Sequence, residues 1–195
     1  MEIINTLLLE AIQGETDAEE RYMTFAGQAV TEGYPRVAAL FTGLSYAEAV
    51  HAANHKRALD KNGYNGPLPG ASKPQSHGST LDNLRMSLKG ELEEFSTMYP
   101  SFRRQIAKKH GDEFVAKIAL LSIKWAAESE KNHHTLLGAA VKLMEIESGK
   151  GNMDTGDYYL CTVCGNLLFS AQPPEELCPV CGHDLMFYSK VDVLL

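Results

Sequence analysis

Residues 90–95, GELEEF, put Glu91 and Glu94 three apart in a segment with helical periodicity. Three residues turn a helix by about 300°, so both carboxylates lie on one face. Paired carboxylates repel, and burial strips their solvation. A fold that turns this face inward must bring positive charge to meet it. EAVH (48–51) and EKNH (130–133) each hold a Glu and a His at the same i, i+3 spacing. Glu15 stands in an otherwise amphipathic first helix. The four segments read as one metal site on four helices, and four cysteines near the C-terminus read as a second site.

Apolar residues recur at helical spacing over 3–32 (Ile4, Leu7, Leu8, Ala11, Ile12, Ala18, Tyr22, Phe25, Ala29). Gly33 and Pro35 mark a stop and restart, and a second helix is predicted over 35–61. Residues 62–79 hold four Gly and three Pro with no periodicity. A loop this long in a compact domain needs a reason. A 27-residue helix is roughly 40 Å long, and eighteen extended residues reach up to about 60 Å. The loop can therefore run the length of a bundle and start the third helix at its far end. Ser79 or Thr80 caps that helix. Leu81, Leu84, Leu88, Leu92 and Phe95 are its expected core positions, and Pro100 should kink it or begin a new turn. Gly111-Asp112 separates it from a fourth helix over about 112–147, with Phe114, Ile118, Leu121, Ile123 and Leu137 among its apolar positions.

Three regions follow: a helical bundle over 1–148, a polar linker over 149–157, and a small unit over 158–195 with short strands and aromatics around the cysteines. Thirty-eight residues bury too little core to fold without a staple. The net charge of −7 and the lack of a Lys/Arg run argue against nucleic-acid binding. Glu2 and Glu10 flank the N-terminal apolar patch, which makes it a poor signal peptide. No apolar run reaches the roughly 20 residues a membrane span needs. Paired CxxC motifs fit metal ligation in a reducing compartment, so a cytoplasmic protein is expected.

In chain order the helices offer Glu15, Glu48 with His51, Glu91 with Glu94, and Glu130 with His133. One Glu from each of two helices and ExxH from the other two is the known ligand pattern of ferritin-like carboxylate-bridged metal pairs. Imidazole adds a ligand suited to iron. Singly, each segment reads as a solvated helix face; their joint order and the long crossover favour the site. Glu128 competes with Glu130, but only Glu130 has His three residues on. His55, His77 and His110 are expected to face solvent, and His134 points about 100° from His133. Tyr22, seven residues after Glu15, either hydrogen-bonds a ligand carboxylate or packs in the core. Cys161, Cys164, Cys178 and Cys181 form CxxC-x13-CxxC, with glycines at 165 and 182. Four thiolates in tetrahedral array suit iron or zinc: zinc would be structural, and mononuclear iron would carry one electron.

Together AIQGETDAEERY (11–22), AEAVH (47–51), GELEEFSTMYPSF (90–102), EKNHH (130–134) and the paired CxxCG knuckles resemble the rubrerythrin family. The resemblance implies a mainly α protein: a ferritin-like four-helix bundle with a small C-terminal rubredoxin-like metal-knuckle β domain. It implies one iron on Glu15, Glu48, Glu91 and Glu94 and another on Glu48, Glu91, Glu130 and His133, bridged by Glu48 and Glu91. In the family the first iron exchanges the carboxylate matching Glu94 for the imidazole matching His51 on reduction. Tyr22 and Tyr99 match tyrosines that orient ligands. The resemblance further implies a homodimer or higher homo-oligomer, with the small domain of one chain near the diiron site of another.

The expected activity is reduction of hydrogen peroxide to water, in oxidative-stress defence, at a non-haem diiron site. Glu94, His51, Tyr22 and Tyr99 would assist. The four-cysteine iron would relay electrons from a small redox protein or reductase linked to NADH. Two rival readings make different predictions. A ferroxidase would take up more than two irons per bundle. A helical bundle with a structural zinc ribbon would tolerate Glu91→Ala or Glu130→Ala without metal loss.

Overall fold

A computed structural model describes residues 2–72, 78–110, 113–146 and 156–192, with His110 described by its backbone alone. His77, the Gly111-Asp112 boundary and most of the expected linker lie outside the described residues. Helix α1 (Glu2–Thr31) buries one stripe from Ile4 to Ala29, and Glu15 lies in its middle. Gly33, at φ +84°, ends the turn after α1 in a conformation that a Cβ disfavours. Helix α2 (Pro35–Lys61) starts on a proline, whose missing N–H costs nothing there.

The described part of the crossover lies along α1, and the third helix starts beside the far end of α1. Gln13 Nε2 donates to Gly70 O at 3.0 Å, Ser72 N to Asp17 Oδ1 at 2.6 Å, and Thr80 N to Glu32 Oε2 at 2.9 Å. Helix α3 (Thr80–Glu93) begins at a capping box in which Ser79 and Asp82 each accept the other's backbone N–H. Its buried stripe is largely polar: Asn83, Leu84, Ser87 and Glu91 are buried, whereas Leu92 is 45% exposed. Leu92 is thus not a core residue, because Glu91 takes the inward position beside it.

A π-helical turn, Glu94–Met98, joins α3 to α4 (Tyr99–His110). The turn lies before Pro100, where a kink was expected. In an unbroken α-helix Tyr99 would sit about 80° from Glu91; one extra residue in the turn brings it within about 20° of that face. Helix α5 (Phe114–Ile146) completes the bundle; its apolar Phe114 and Leu121 are 74% and 44% exposed.

Two apolar clusters fill the bundle. One holds Tyr22, Phe25, Phe41, Leu44, Leu84 and Leu137; the other holds Ile4, Leu8, Leu59, Tyr99, Ile106 and Ile123. Each fully buried large side chain contributes roughly 1.5–3 kcal/mol, and this burial holds the acidic side chains in place.

After Gly156 come β1 (Asp157–Cys161), β2 (Leu167–Ser170) and β3 (Tyr188–Lys190), an antiparallel sheet of order β2-β1-β3. The sheet packs on α2 and α5 of its own chain: Leu167 and Val191 press against Gly43, where a Cβ would meet Leu167 at 3.0 Å.

Candidate metal centres

Glu15 enters the bundle from α1, Glu48 and His51 from α2, Glu91 from α3, and Glu130 and His133 from α5; all six are buried. They form two overlapping groups. Donor atoms of Glu15, Glu48, His51 and Glu130 lie within 4.8 Å of one another, as do those of Glu48, Glu91, Glu130 and His133. Glu48 and Glu130 belong to both groups, whereas Glu91, which the resemblance pairs with Glu48 as a bridge, belongs to one. Glu130, and not the exposed Glu128, is the α5 carboxylate at the site. Glu94 is half-buried on the π turn, outside both groups, and His51 takes the place expected for it.

His51 Nδ1 is 2.9 Å from Glu48 Oε2 and 2.8 Å from Glu130 Oε1. His133 Nδ1 is 2.9 Å from Glu130 Oε2, and the two imidazoles stack at 5.7 Å. His133 Nε2 lies 3.0 Å from Gly165 O, which accepts only if Nε2 carries the proton. That contact leaves Nδ1 free as a donor to metal. Tyr22 donates to Glu91 and Tyr99 to Glu15.

Charge in the site is poorly balanced. Burial, with repulsion from Glu130 and Glu15, pushes Glu48 well above the ordinary carboxylate range. Burial and Glu91 do the same to Glu130, and burial, Glu15 and Glu91 to Glu94. Burial also acts on Glu15, but hydrogen bonds from His51 and His55 outweigh it and hold Glu15 well below that range. Burial would lower His51, yet Glu130 and its other acidic neighbours hold it well up. Both tyrosines are pushed up by burial and the surrounding carboxylates, so they remain donors.

Four buried atoms here lack hydrogen-bond partners: Glu15 Oε2, Glu48 Oε1, His51 Nε2 and Glu91 Oε2. Buried polar atoms of this kind are rare without a ligand. Four carboxylates and two imidazoles with unused oxygen fit a carboxylate-bridged pair of irons.

The second centre is built from two knuckles. Gly165 N donates to Cys161 O at 2.9 Å and Gly182 N to Cys178 O at 2.8 Å, with both glycines at positive φ. Sulfurs of Cys161 and Cys181 are 3.6 Å apart, and those of Cys164 and Cys178 are 3.5 Å apart. Those spacings exceed a disulfide's length of about 2.05 Å. They approach the edge, about 3.8 Å, of a tetrahedron with metal–sulfur bonds of about 2.3 Å. Thiol hydrogen bonds with Cys161 and Cys164 lower Cys178 strongly, and burial lifts Cys181 to about 12. Metal binding to such a set takes up the thiolate form of its ligands and releases their protons.

The knuckle carrying Cys164 sits on the helical site. Ser129 Oγ donates to Cys164 O at 3.2 Å and Asn54 Nδ2 to Val163 O at 2.8 Å. A Cβ on Gly165 would overlap the His51 imidazole and lie 3.0 Å from Ala47 O.

His55, expected in solvent, is fully buried. Its Nε2 lies 3.2 Å from Tyr99 Oη and 3.5 Å from Glu15 Oε1, and its Nδ1 lies 2.6 Å from Ser122 Oγ. The available signal was its place four residues after His51, on the same helix face. His134 does turn away, to Leu88 O at 3.0 Å.

Residues 6–141 match the rubrerythrin family model. The chain is 32% identical to rubrerythrin-2 of Clostridium acetobutylicum, over 90% of this chain and 89% of that one. It is 33% identical to rubrerythrin of Porphyromonas gingivalis, over 93% and 86%. Among solved structures, nigerythrin in a mixed-valence state superposes with a TM-score of 0.81 at 25% identity, over 96% of this chain and 86% of that one. Fully reduced, all-ferrous nigerythrin superposes at 0.77 and 28% identity, with the same coverage. With two acid-and-histidine groups sharing Glu48 and Glu130, and a four-cysteine knuckle docked against them, the chain belongs to the rubrerythrin family.

Proposed function

We propose that the protein is a hydrogen peroxide peroxidase, linked to NADH through separate electron-transfer proteins and acting in oxidative-stress defence. The observation that carries this reading is the contact between the centres: Gly165, next to Cys164, touches both His51 and His133. A storage or structural site has no need of a four-thiolate centre against its ligands. The overall change is H2O2 + 2 e⁻ + 2 H⁺ → 2 H2O. The iron pair, when bound, supplies the two electrons, and the four-cysteine iron replaces them singly.

Glu48 and Glu130 would bridge the pair, Glu15 and His51 would hold one iron, and Glu91 and His133 the other. His51 in that position matches the arrangement that the resemblance associates with the reduced family site; Glu94 is the carboxylate for the oxidised one. Glu94, its carboxyl pushed up by burial and by Glu15 and Glu91, is the acid that would pass a proton to a departing oxygen. Tyr22 and Tyr99 fix Glu91 and Glu15 through hydroxyls that stay protonated. His133 is held in one tautomer by the knuckle itself, so docking of the small domain tunes a ligand directly. Association into a homodimer or larger homo-oligomer is part of the same reading.

The test is peroxide turnover by a Cys161→Ser variant loaded with iron. Donor-linked turnover should fail, while a chemically reduced iron pair is still oxidised by one equivalent of peroxide. Unchanged donor-linked turnover would defeat the proposal.

A further inference from the structure

The acidic balance of the whole chain conceals one basic face. Residues 99–124 hold six Lys/Arg against two Asp/Glu, in a chain with 18 against 25. Four of these cations line an open groove of about 620 Å³ between α4 and α5: Arg103, Arg104, Lys117 and Lys124. All four are exposed, and none forms an ion pair with a described residue. The floor between them is apolar, supplied by Leu120 and the 44% exposed Leu121. An apolar centre ringed by unpaired cations matches a protein face with the opposite pattern.

The groove leads to the four-cysteine centre. On α5, Leu121, Trp125 and Ser129 follow one another at i, i+4 spacing, so they form one stripe about 12 Å long. Leu121 lies in the groove, Trp125 packs against the cysteine cluster and meets His183 edge-on at 6.1 Å, and Ser129 bonds Cys164 O. A partner seated in the groove therefore lies one helical turn from a residue that touches the thiolates.

We propose that this groove docks the acidic face of a small electron-carrier protein, which passes one electron at a time to the four-cysteine iron. The carrier is oxidised by one electron and the ferric thiolate site is reduced to ferrous. This inference names the partner within the peroxidase reading and rests on it. The groove is too open and its cations too dispersed to enclose a small anion.

The probe is a recombinant plant-type [2Fe–2S] ferredoxin of net negative charge, with the full-length, iron-loaded protein. Two readouts need no peroxide: the Kd by calorimetry at low and high salt, and the rate at which reduced ferredoxin bleaches the ferric-thiolate band. Arg103→Glu/Lys124→Glu should weaken binding at least about tenfold and slow bleaching in proportion, because each reversal turns an attraction into a repulsion. Bleaching by dithionite should not change, and Lys142→Glu, on the distant part of α5, should leave both readouts at wild-type values. Circular dichroism verifies folding of each variant. Binding and bleaching that survive the double reversal would overturn the proposal. So would a groove whose reversal abolishes inorganic pyrophosphate binding but not ferredoxin binding. If the ferredoxin reduces the thiolate iron through this groove but peroxide is not consumed, the peroxidase reading fails and the docking face stands.

Discussion

Replacing Gly165 with alanine should uncouple the two centres, and Gly182 provides the matched control. Both glycines close a cysteine knuckle at positive φ, +84° and +72°. A side chain there costs about 1–2 kcal/mol from backbone strain alone. At Gly182 nothing lies within 4 Å of an added Cβ, so strain is the whole effect. At Gly165 the new methyl overlaps His51 and crowds Ala47 O at 3.0 Å. The knuckle must back away, and the 3.0 Å contact between His133 and Gly165 O is lost, at about 0.5–1.5 kcal/mol. The expected losses are therefore about 1.5–3.5 kcal/mol for Gly165→Ala and about 1–2 kcal/mol for Gly182→Ala. Chemical denaturation of the zinc-loaded proteins measures them. Stopped-flow of the reduced, iron-loaded variants gives the second readout: after peroxide oxidises the iron pair, the ferric-thiolate band should appear more slowly in Gly165→Ala than in Gly182→Ala. Equal stability losses and equal rates would refute the claim that this contact joins the centres.

Other perturbations should act as follows. The metal-free protein should lose stability between pH 5 and pH 8. Glu48, Glu94 and Glu130, all raised, keep protons in the folded state that the unfolded chain has released by about pH 5, so the folded state binds more protons and stability falls as pH rises. His51, also raised, adds stability that is fully present below its unfolded value near 6.5 and is lost as pH rises through its folded value. Metal should abolish most of this slope, and urea melts across the range measure it. Glu130→Ala, which removes a member of both groups, should leave well under one iron in the bundle by elemental analysis while the thiolate iron remains. Tyr99→Phe should cost the metal-free protein about 1–3 kcal/mol in a denaturation melt, because a buried Glu15 oxygen and His55 lose a partner. Ser79→Ala should cost about 1 kcal/mol through the lost cap, seen as a melting temperature lower by roughly 2–4 °C.

Local chemistry made much of this architecture legible. Gly33, Pro35 and Asn62 bracket α2 at the limits read from the sequence, since each acts on its own backbone. Glu130 was separable from Glu128 because spacing to His133 decides which carboxylate shares its face. The third helix was harder to read. Its inward stripe of Asn83, Ser87 and Glu91 is polar, so hydrophobic periodicity put Leu92 in the core when it lies outside. The π turn also escaped: Pro100 signals a disturbance, but not the extra residue before it that aligns Tyr99 with Glu91. His55 is buried by Ser122 and Tyr99, 67 and 44 residues away, and no local pattern encodes such partners. The shared membership of Glu48 and Glu130 in both donor groups has a related origin: it depends on how α2 and α5 face each other across the bundle, which local spacing does not encode.

The central claim is that the two centres act on peroxide as one relay within a single chain. The most direct measurement is an anaerobic stopped-flow titration of the fully reduced, three-iron protein with hydrogen peroxide, followed at the ferric-thiolate band over a range of protein concentrations. The account predicts complete oxidation at 1.5 peroxide per chain, since three ferrous ions supply one electron each and peroxide takes two. It predicts that the thiolate band appears after the iron pair is oxidised, at a rate independent of protein concentration. A band that stays bleached after the pair is oxidised, or that rises in proportion to protein concentration, would contradict it.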